Sequence, residues 1–186
     1  MQLVVVGSSW GGIDALSVIL KTLPVTWSLP IAVGLHRRAD TTSDALVNLL
    51  QGRTELKVVE PSDKDPLEAR TVYIAPPDYH LLVEPGYFAL TLESEIHFAR
   101  PSIDVLFESA ADSYRASCIG VLLTGANRDG AQGLRRIRDV GGITIVQDPA
   151  TAARSEMPLA AIAAEAATRV IPLEKIGPWL GSVDSV

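Results

Sequence analysis

Five mostly apolar runs punctuate the chain, at residues 3–6, 31–35, 72–75, 119–123 and 143–146, with Thr144 in the last run breaking the apolar pattern. Runs of that length without alternation read as strands buried on both faces, the pattern of a parallel sheet covered on each side. Between them the apolar positions change to helical spacing. Residues 12–23, 42–50, 103–114, 130–140 and 157–166 are the predicted helices, with Pro158 tolerated near a helix start. Strand and helix in alternation predict an α/β fold, a mostly parallel sheet with helices on both faces. One interval differs: residues 80–84 and 87–92 alternate in hydropathy around Pro85-Gly86, which predicts an antiparallel edge hairpin. Neither a repeat nor a linker-like tract divides the chain, so residues 1–186 are read as one domain.

In an open parallel sheet, chemistry gathers where strands end at their carboxyl edge. Three such ends carry polar residues: Ser8 and Ser9 in "VVVGSSWGGIDAL", His36 after the second strand, and Asp129 in "LTGANRDGAQGL". Gly7-Ser8-Ser9-Trp10-Gly11 fits G-x-S-x-G, and that spacing selects Ser9. A serine is a weak nucleophile at neutral pH and needs a base, with a third group to orient the base. His36 and Asp129 have the chemistry for those tasks, and the first amides of the next helix, near Trp10 and Gly11, suit a developing oxyanion.

An alternative takes Gly7, Ser9 and Gly12 as a degenerate G-x-G-x-x-G dinucleotide turn, with His36-Arg37-Arg38 suited to a ribose phosphate. It leaves Asp129 without a role. Structural readings stand beside each candidate: His36 as a solvated loop histidine, Asp129 as the cap of a helix starting at Gly130, and His80 as a structural residue after Pro76-Pro77-Asp78. His97 has no recognisable partner and receives no role.

Charge narrows the field. Twenty-two acidic residues against 16 basic ones give a formal charge of −6 and a pI near 5.0, which argues against a general nucleic-acid binder. No apolar run is long enough to span a bilayer and no charged-then-apolar leader precedes the first strand, so the expected location is the cytoplasm. The single cysteine, Cys118, heads an apolar run and is expected to be a small buried residue.

The segments "VVVGSSWGG", "VGLHRRAD", "YIAPPDYH", "ARPSIDVLFESAA", "GVLLTGANRDGAQGL" and "IVQDPATAARSEMPLAAI" follow one another along almost the whole chain. In that order they resemble the serine turn, histidine loop, I-A-P-x-D-x-H segment, R-P-S helix entry, aspartate loop and M-P helix of the CheB-type chemotaxis protein-glutamate methylesterases. The resemblance implies a doubly wound α/β catalytic domain. It implies Ser9 as nucleophile, His36 as base, Asp129 as orienting carboxylate and the Trp10 backbone amide at the oxyanion. The activity implied is a serine hydrolase of signal transduction, which removes methyl esters from glutamate side chains on the cytoplasmic helices of methyl-accepting chemoreceptors. Deamidation of receptor glutamines is a related activity in some relatives. No cofactor, metal, nucleic acid or membrane insertion is implied. The receiver domain that precedes this unit in many relatives has no counterpart in residues 1–186, which are read either as an excised catalytic unit or as a free-standing one open to a separate receiver-domain regulator.

The chain departs from the family pattern at Trp10, where a small residue is usual, at Ala126-Asn127-Arg128 in place of Met-Gly-Asn, and at Arg154-Ser155-Glu156. These changes bear on substrate range, and they leave a second class of function, a binding module of the same fold without turnover. Arg37, Arg38, Arg100, Arg128 and Arg154 lie in or near the site loops and are expected to guide an acidic receptor segment, with ordinary solvated arginines as the alternative.

Overall fold

A computed structural model describes residues 2–37, 43–96 and 99–184. Among these the strands are β1 (Leu3–Ser8), β2 (Ile31–Leu35), β3 (Lys57–Val59), β4 (Thr71–Ile74), β5 (His80–Glu84), β6 (Tyr87–Thr91), β7 (Cys118–Leu122), β8 (Ile143–Gln147) and β9 (Arg169–Ile171). The helices are α1 (Gly12–Thr22), α2 (Ser43–Gln51), α3 (Ile103–Tyr114), α4 (Ala131–Asp139), α5 (Glu156–Ala163) and α6 (Leu173–Asp184). Seven strands form one sheet in the order β3-β4-β2-β1-β7-β8-β9. Every pairing in it is parallel.

β1 is buried at all of its positions, which is why residues 3–6 are an unbroken apolar run. Its side chains divide between two cores. Leu3 and Val5 pack on the face that holds Phe107 of α3, Leu134 of α4 and Met157 of α5, while Val4 and Val6 pack with Leu16 of α1, Leu50 of α2 and Leu180 of α6. Burying each such aliphatic side chain fully contributes about 1.5–3 kcal/mol, so the alternation along one strand fastens helices to both faces. The doubly wound architecture expected from the sequence is the one observed.

Three elements were not legible. β3 and β9 are three-residue strands at the two edges of the sheet, and β9 is mostly exposed, so neither carries an apolar run. α6 contains Gly177 and Pro178, which read as helix breakers, yet Ile176 and Leu180 are buried against the core beside α1. The β5–β6 hairpin forms as expected but does not extend the main sheet; it is a separate two-stranded sheet whose Leu81, Val83 and Phe88 join the core that contains α3. Among the described residues no helix is long and apolar enough to cross a membrane.

Candidate active site

The turn after β1 separates its two serines by function. Ser8 is buried, and its hydroxyl donates to the Thr124 carbonyl at 2.9 Å. Ser9 is half-buried; its main-chain N–H donates to the same carbonyl at 3.0 Å, and among the described residues its hydroxyl has no hydrogen-bond partner. One hydroxyl is therefore structural and the other unengaged. The turn is possible because Gly11 adopts φ 78°, in the left-handed region, and because a Cβ there would come 2.7 Å from the Ala153 methyl. Thr124 follows β7, so its carbonyl fastens the end of β1 to its neighbour in the sheet.

His36 follows β2, which pairs with the other side of β1, and its main-chain N–H donates to the Ser8 carbonyl at 3.1 Å. Its Nε2 lies 2.7 Å from Asp129 Oδ2. Asp129 is fully buried, and that position is justified by donors: the Ile103 amide at 2.7 Å, the Asp104 amide at 3.0 Å and the Ser102 hydroxyl at 3.0 Å. Burial by itself raises the pKa of Asp129, but the hydrogen bond from His36 and those from the Ile103 and Asp104 amides outweigh it, and the carboxyl sits below the ordinary carboxylate value. An ionised carboxylate only accepts, so the His36 proton is on Nε2.

The alternative reading of Asp129 as the cap of its own helix does not hold. Gly130, at φ 93°, precedes α4 with no side-chain cap, and the Asp129 carboxylate instead receives the free amides at the start of α3. His80 does prove structural: it is buried, its Nδ1 accepts from the Ser102 amide at 3.1 Å, and its Nε2 lies 3.1 Å from the Ser94 carbonyl. Ser102 and His80 thus stand behind Asp129, a role that spacing along the chain did not disclose. Asn127 was also missed as a contact: its side-chain nitrogen is 3.3 Å from His36 Nδ1.

Ser9 and His36 line the same depression, of about 220 Å³, together with Gly11, Ile13, Leu35 and Arg37. A larger cavity of about 530 Å³ lies at the opposite edge of the sheet, between Leu23, Val25, Arg53 and Arg70, and contains none of the candidate residues. Trp10 is 66% exposed beside the serine turn, with the Arg154 guanidinium 5.7 Å from its ring centre. Among the described residues no group of three or more His, Cys, Asp or Glu side chains is placed to hold a metal ion.

The arginines do not behave alike. Arg37 is not a free surface charge: its side chain is 4% exposed and ion-paired with Glu60, and it donates to the Ala75 carbonyl at 3.1 Å. Arg100 is half-buried and bridges the Leu92 and Glu93 carbonyls, at 3.1 and 3.0 Å. Arg128 and Arg154 are exposed. Arg38 lies outside the described residues, as does His97. Cys118 is buried as expected, and burial pushes its thiol up to about 12.

Residues 4–180 match the family described as CheB methylesterase. The chain is 43% identical over 176 residues to a Leptospira interrogans relative provisionally named protein-glutamate methylesterase/protein-glutamine glutaminase, covering 94% of this chain and 91% of that one. It is 41% identical over 179 residues to the protein-glutamate methylesterase FrzG of Myxococcus xanthus, covering 96% of this chain and 53% of the relative. It therefore spans nearly all of one relative and about half of the other. The crystal structure of the Thermotoga maritima CheB methylesterase catalytic domain superposes with a TM-score of 0.94 at 33% identity, covering 98% of each chain. With the sheet order, the serine turn and the buried aspartate already in view, these matches establish that the chain belongs to the CheB methylesterase family.

Proposed function

We propose that this chain hydrolyses methyl esters of glutamate side chains in a protein substrate, with Ser9 as nucleophile, His36 as base and Asp129 as the orienting carboxylate. The observation that carries this reading is the 2.7 Å contact between His36 Nε2 and Asp129 Oδ2, made by a ring that lines one depression with Ser9. Because Nε2 is committed to Asp129, Nδ1 is the nitrogen that receives the Ser9 proton. As it does so, Ser9 Oγ bonds to the ester carbonyl carbon. The carbonyl oxygen becomes an oxyanion beside the Trp10 amide, at the positive end of α1. Collapse breaks the bond to the methoxy group, which leaves as methanol with the proton from His36. Water then attacks the acyl-Ser9, its proton passes to His36 and on to the departing Ser9 oxygen, and a glutamate carboxylate is released.

The same steps act on a glutamine side chain with ammonia leaving instead, and the glutaminase in the Leptospira relative's name agrees with that activity. The partner proposed is the acidic cytoplasmic helix of a chemoreceptor, attracted by the exposed Arg128 and Arg154, and the location proposed with it is the cytoplasm.

Methanol release from a methylated receptor fragment tests the reading. Wild type should turn over, Ser9→Ala should not, and Ser8→Ala should retain activity. Equal rates for wild type and Ser9→Ala would overturn the assignment, and binding of the fragment without methanol release would identify a binding module.

A further inference from the structure

Three hydrogen bonds close into a ring around the base. The Asp129 N–H donates to Asn127 Oδ1 at 3.2 Å, and this fixes which way the Asn127 amide points, because only its oxygen accepts. The Asn127 NH2 group then faces His36 Nδ1 at 3.3 Å. An amide nitrogen only donates, so Nδ1 accepts and carries no proton. The ring proton is on Nε2, which meets Asp129 Oδ2 at 2.7 Å and closes the circuit. The tautomer is the one a base needs, but the lone pair that would take the Ser9 proton is already engaged. Ser9 correspondingly has no hydrogen bond to its hydroxyl among the described residues.

We infer that Asn127 is a positioning residue that caps the base nitrogen in the resting enzyme, and that the Ser9 hydroxyl displaces its NH2 group before proton transfer. This rests on the assignment of Ser9 and His36 made above. Asn127 is only half-buried and lies between Ala126 and Arg128, both exposed, so its amide can turn away without disturbing the core. Asp129 keeps its own anchors in α3 when this happens.

The test follows acylation of Ser9 by p-nitrophenyl acetate, as the burst of nitrophenolate, together with 15N NMR of the His36 ring. Asn127→Ala and Asn127→Gly should acylate about 2- to 13-fold faster than wild type, the usual net worth of one hydrogen bond. The Nδ1 resonance should move to that of a free lone pair while Nε2 keeps its proton. Asn127→Asp keeps the oxygen that accepts from the Asp129 N–H but replaces the donor with an acceptor. It should draw a second proton onto the ring at Nδ1, with Nε2 still donating to Asp129, and slow acylation. Acylation that is unchanged or slower in both Asn127→Ala and Asn127→Gly, or an Nδ1 resonance the same as wild type, overturns the inference. A burst that survives Ser9→Ala would instead remove Ser9 as nucleophile, a failure of the underlying assignment that the ring resonances report separately.

Discussion

The main-chain nitrogen of Ile103 lies 2.7 Å from the Asp129 carboxylate, so the acid that meets His36 is held by the first turn of α3 rather than by its own helix. Unpaired amides at a helix start are donors in need of acceptors, and the helix dipole favours an anion there. The arrangement is reciprocal. Asp104 of α3 accepts from the Gly133 amide in the first turn of α4 at 2.7 Å, so each of the two helices is served by a carboxylate from outside it.

Asp129→Asn preserves the shape of the acid and removes its charge. Turnover should fall about 10⁴-fold, as when a triad carboxylate is neutralised. The folded-state pKa of Asp129 is depressed, so the stability its charge contributes is present above the ordinary carboxylate value of about 3.9 and is lost as pH falls toward the lower folded value. Thermal unfolding of wild type and variant between about pH 3 and about pH 7 should show a stability gap that narrows at the acid end. A gap independent of pH would show that folding does not lower the pKa of Asp129.

The two serines should respond oppositely to truncation. Ser8→Ala breaks the 2.9 Å bond to the Thr124 carbonyl and should cost about 0.5–1.5 kcal/mol while leaving the Ser9 hydroxyl, the proposed nucleophile, in place. Ser9→Ala removes an unbonded hydroxyl, so stability should change by less than about 0.5 kcal/mol while turnover falls by about 10⁴-fold or more. Urea denaturation and methanol release, measured on both variants, separate the two effects.

Glu60→Ala would leave the Arg37 guanidinium, 4% exposed, with only the Ala75 carbonyl as partner. Its Nε and Nη1 already lack partners among the described residues. Loss of one side of a buried pair typically costs about 3–5 kcal/mol, which urea denaturation would resolve. A change below about 1 kcal/mol would mean that water reaches the guanidinium and that Arg37 is available to substrate after all.

Cys118, with its thiol pushed up to about 12 by burial, should be inert to Ellman's reagent in the native protein at mildly alkaline pH and react fully once the chain is unfolded. Labelling of the native chain at the rate of a free thiol would contradict its place in the core.

Guidance of an acidic substrate by Arg128 and Arg154 should be salt-sensitive, since exposed charges are screened beyond about 10 Å at 0.1 M. The double variant Arg128→Ala/Arg154→Ala should lose kcat/KM at low salt and converge on wild type at high salt. Parallel salt curves for the two proteins would remove both arginines from substrate capture.

Much of the fold was legible because parallel strands covered on both faces announce themselves as unbroken apolar runs, and because the candidate residues sit at the ends of those runs. What escaped detection depends on contacts between distant parts of the chain. α6 looks broken at Gly177-Pro178 until Ile176 and Leu180 are seen to fill the core beside α1. Asp129 before a glycine and a helix looks like a local cap, and only the folded chain brings the start of α3 closer to it. Arg37 looks exposed beside His36, but its burial is decided by Glu60, 23 positions away. Asn127 gives no signal in one dimension, because its meaning lies in a ring nitrogen contributed by another strand end.

His36, Ser9 and Asp129 follow β2, β1 and β7, which are consecutive in the sheet. Neighbouring strands are about 4.8 Å apart, so the ladder fixes the separation of Ser9 and His36, which directly follow the paired ends of β1 and β2, while Asp129, beyond the end of β7, is held by the first turn of α3. Trp10, Ala126, Arg128 and Arg154 occupy the loops and not the ladder. Natural variation, or a designer, can therefore revise what the entrance admits without disturbing the spacing of the groups beneath it, which makes this scaffold evolvable in specificity while conservative in chemistry.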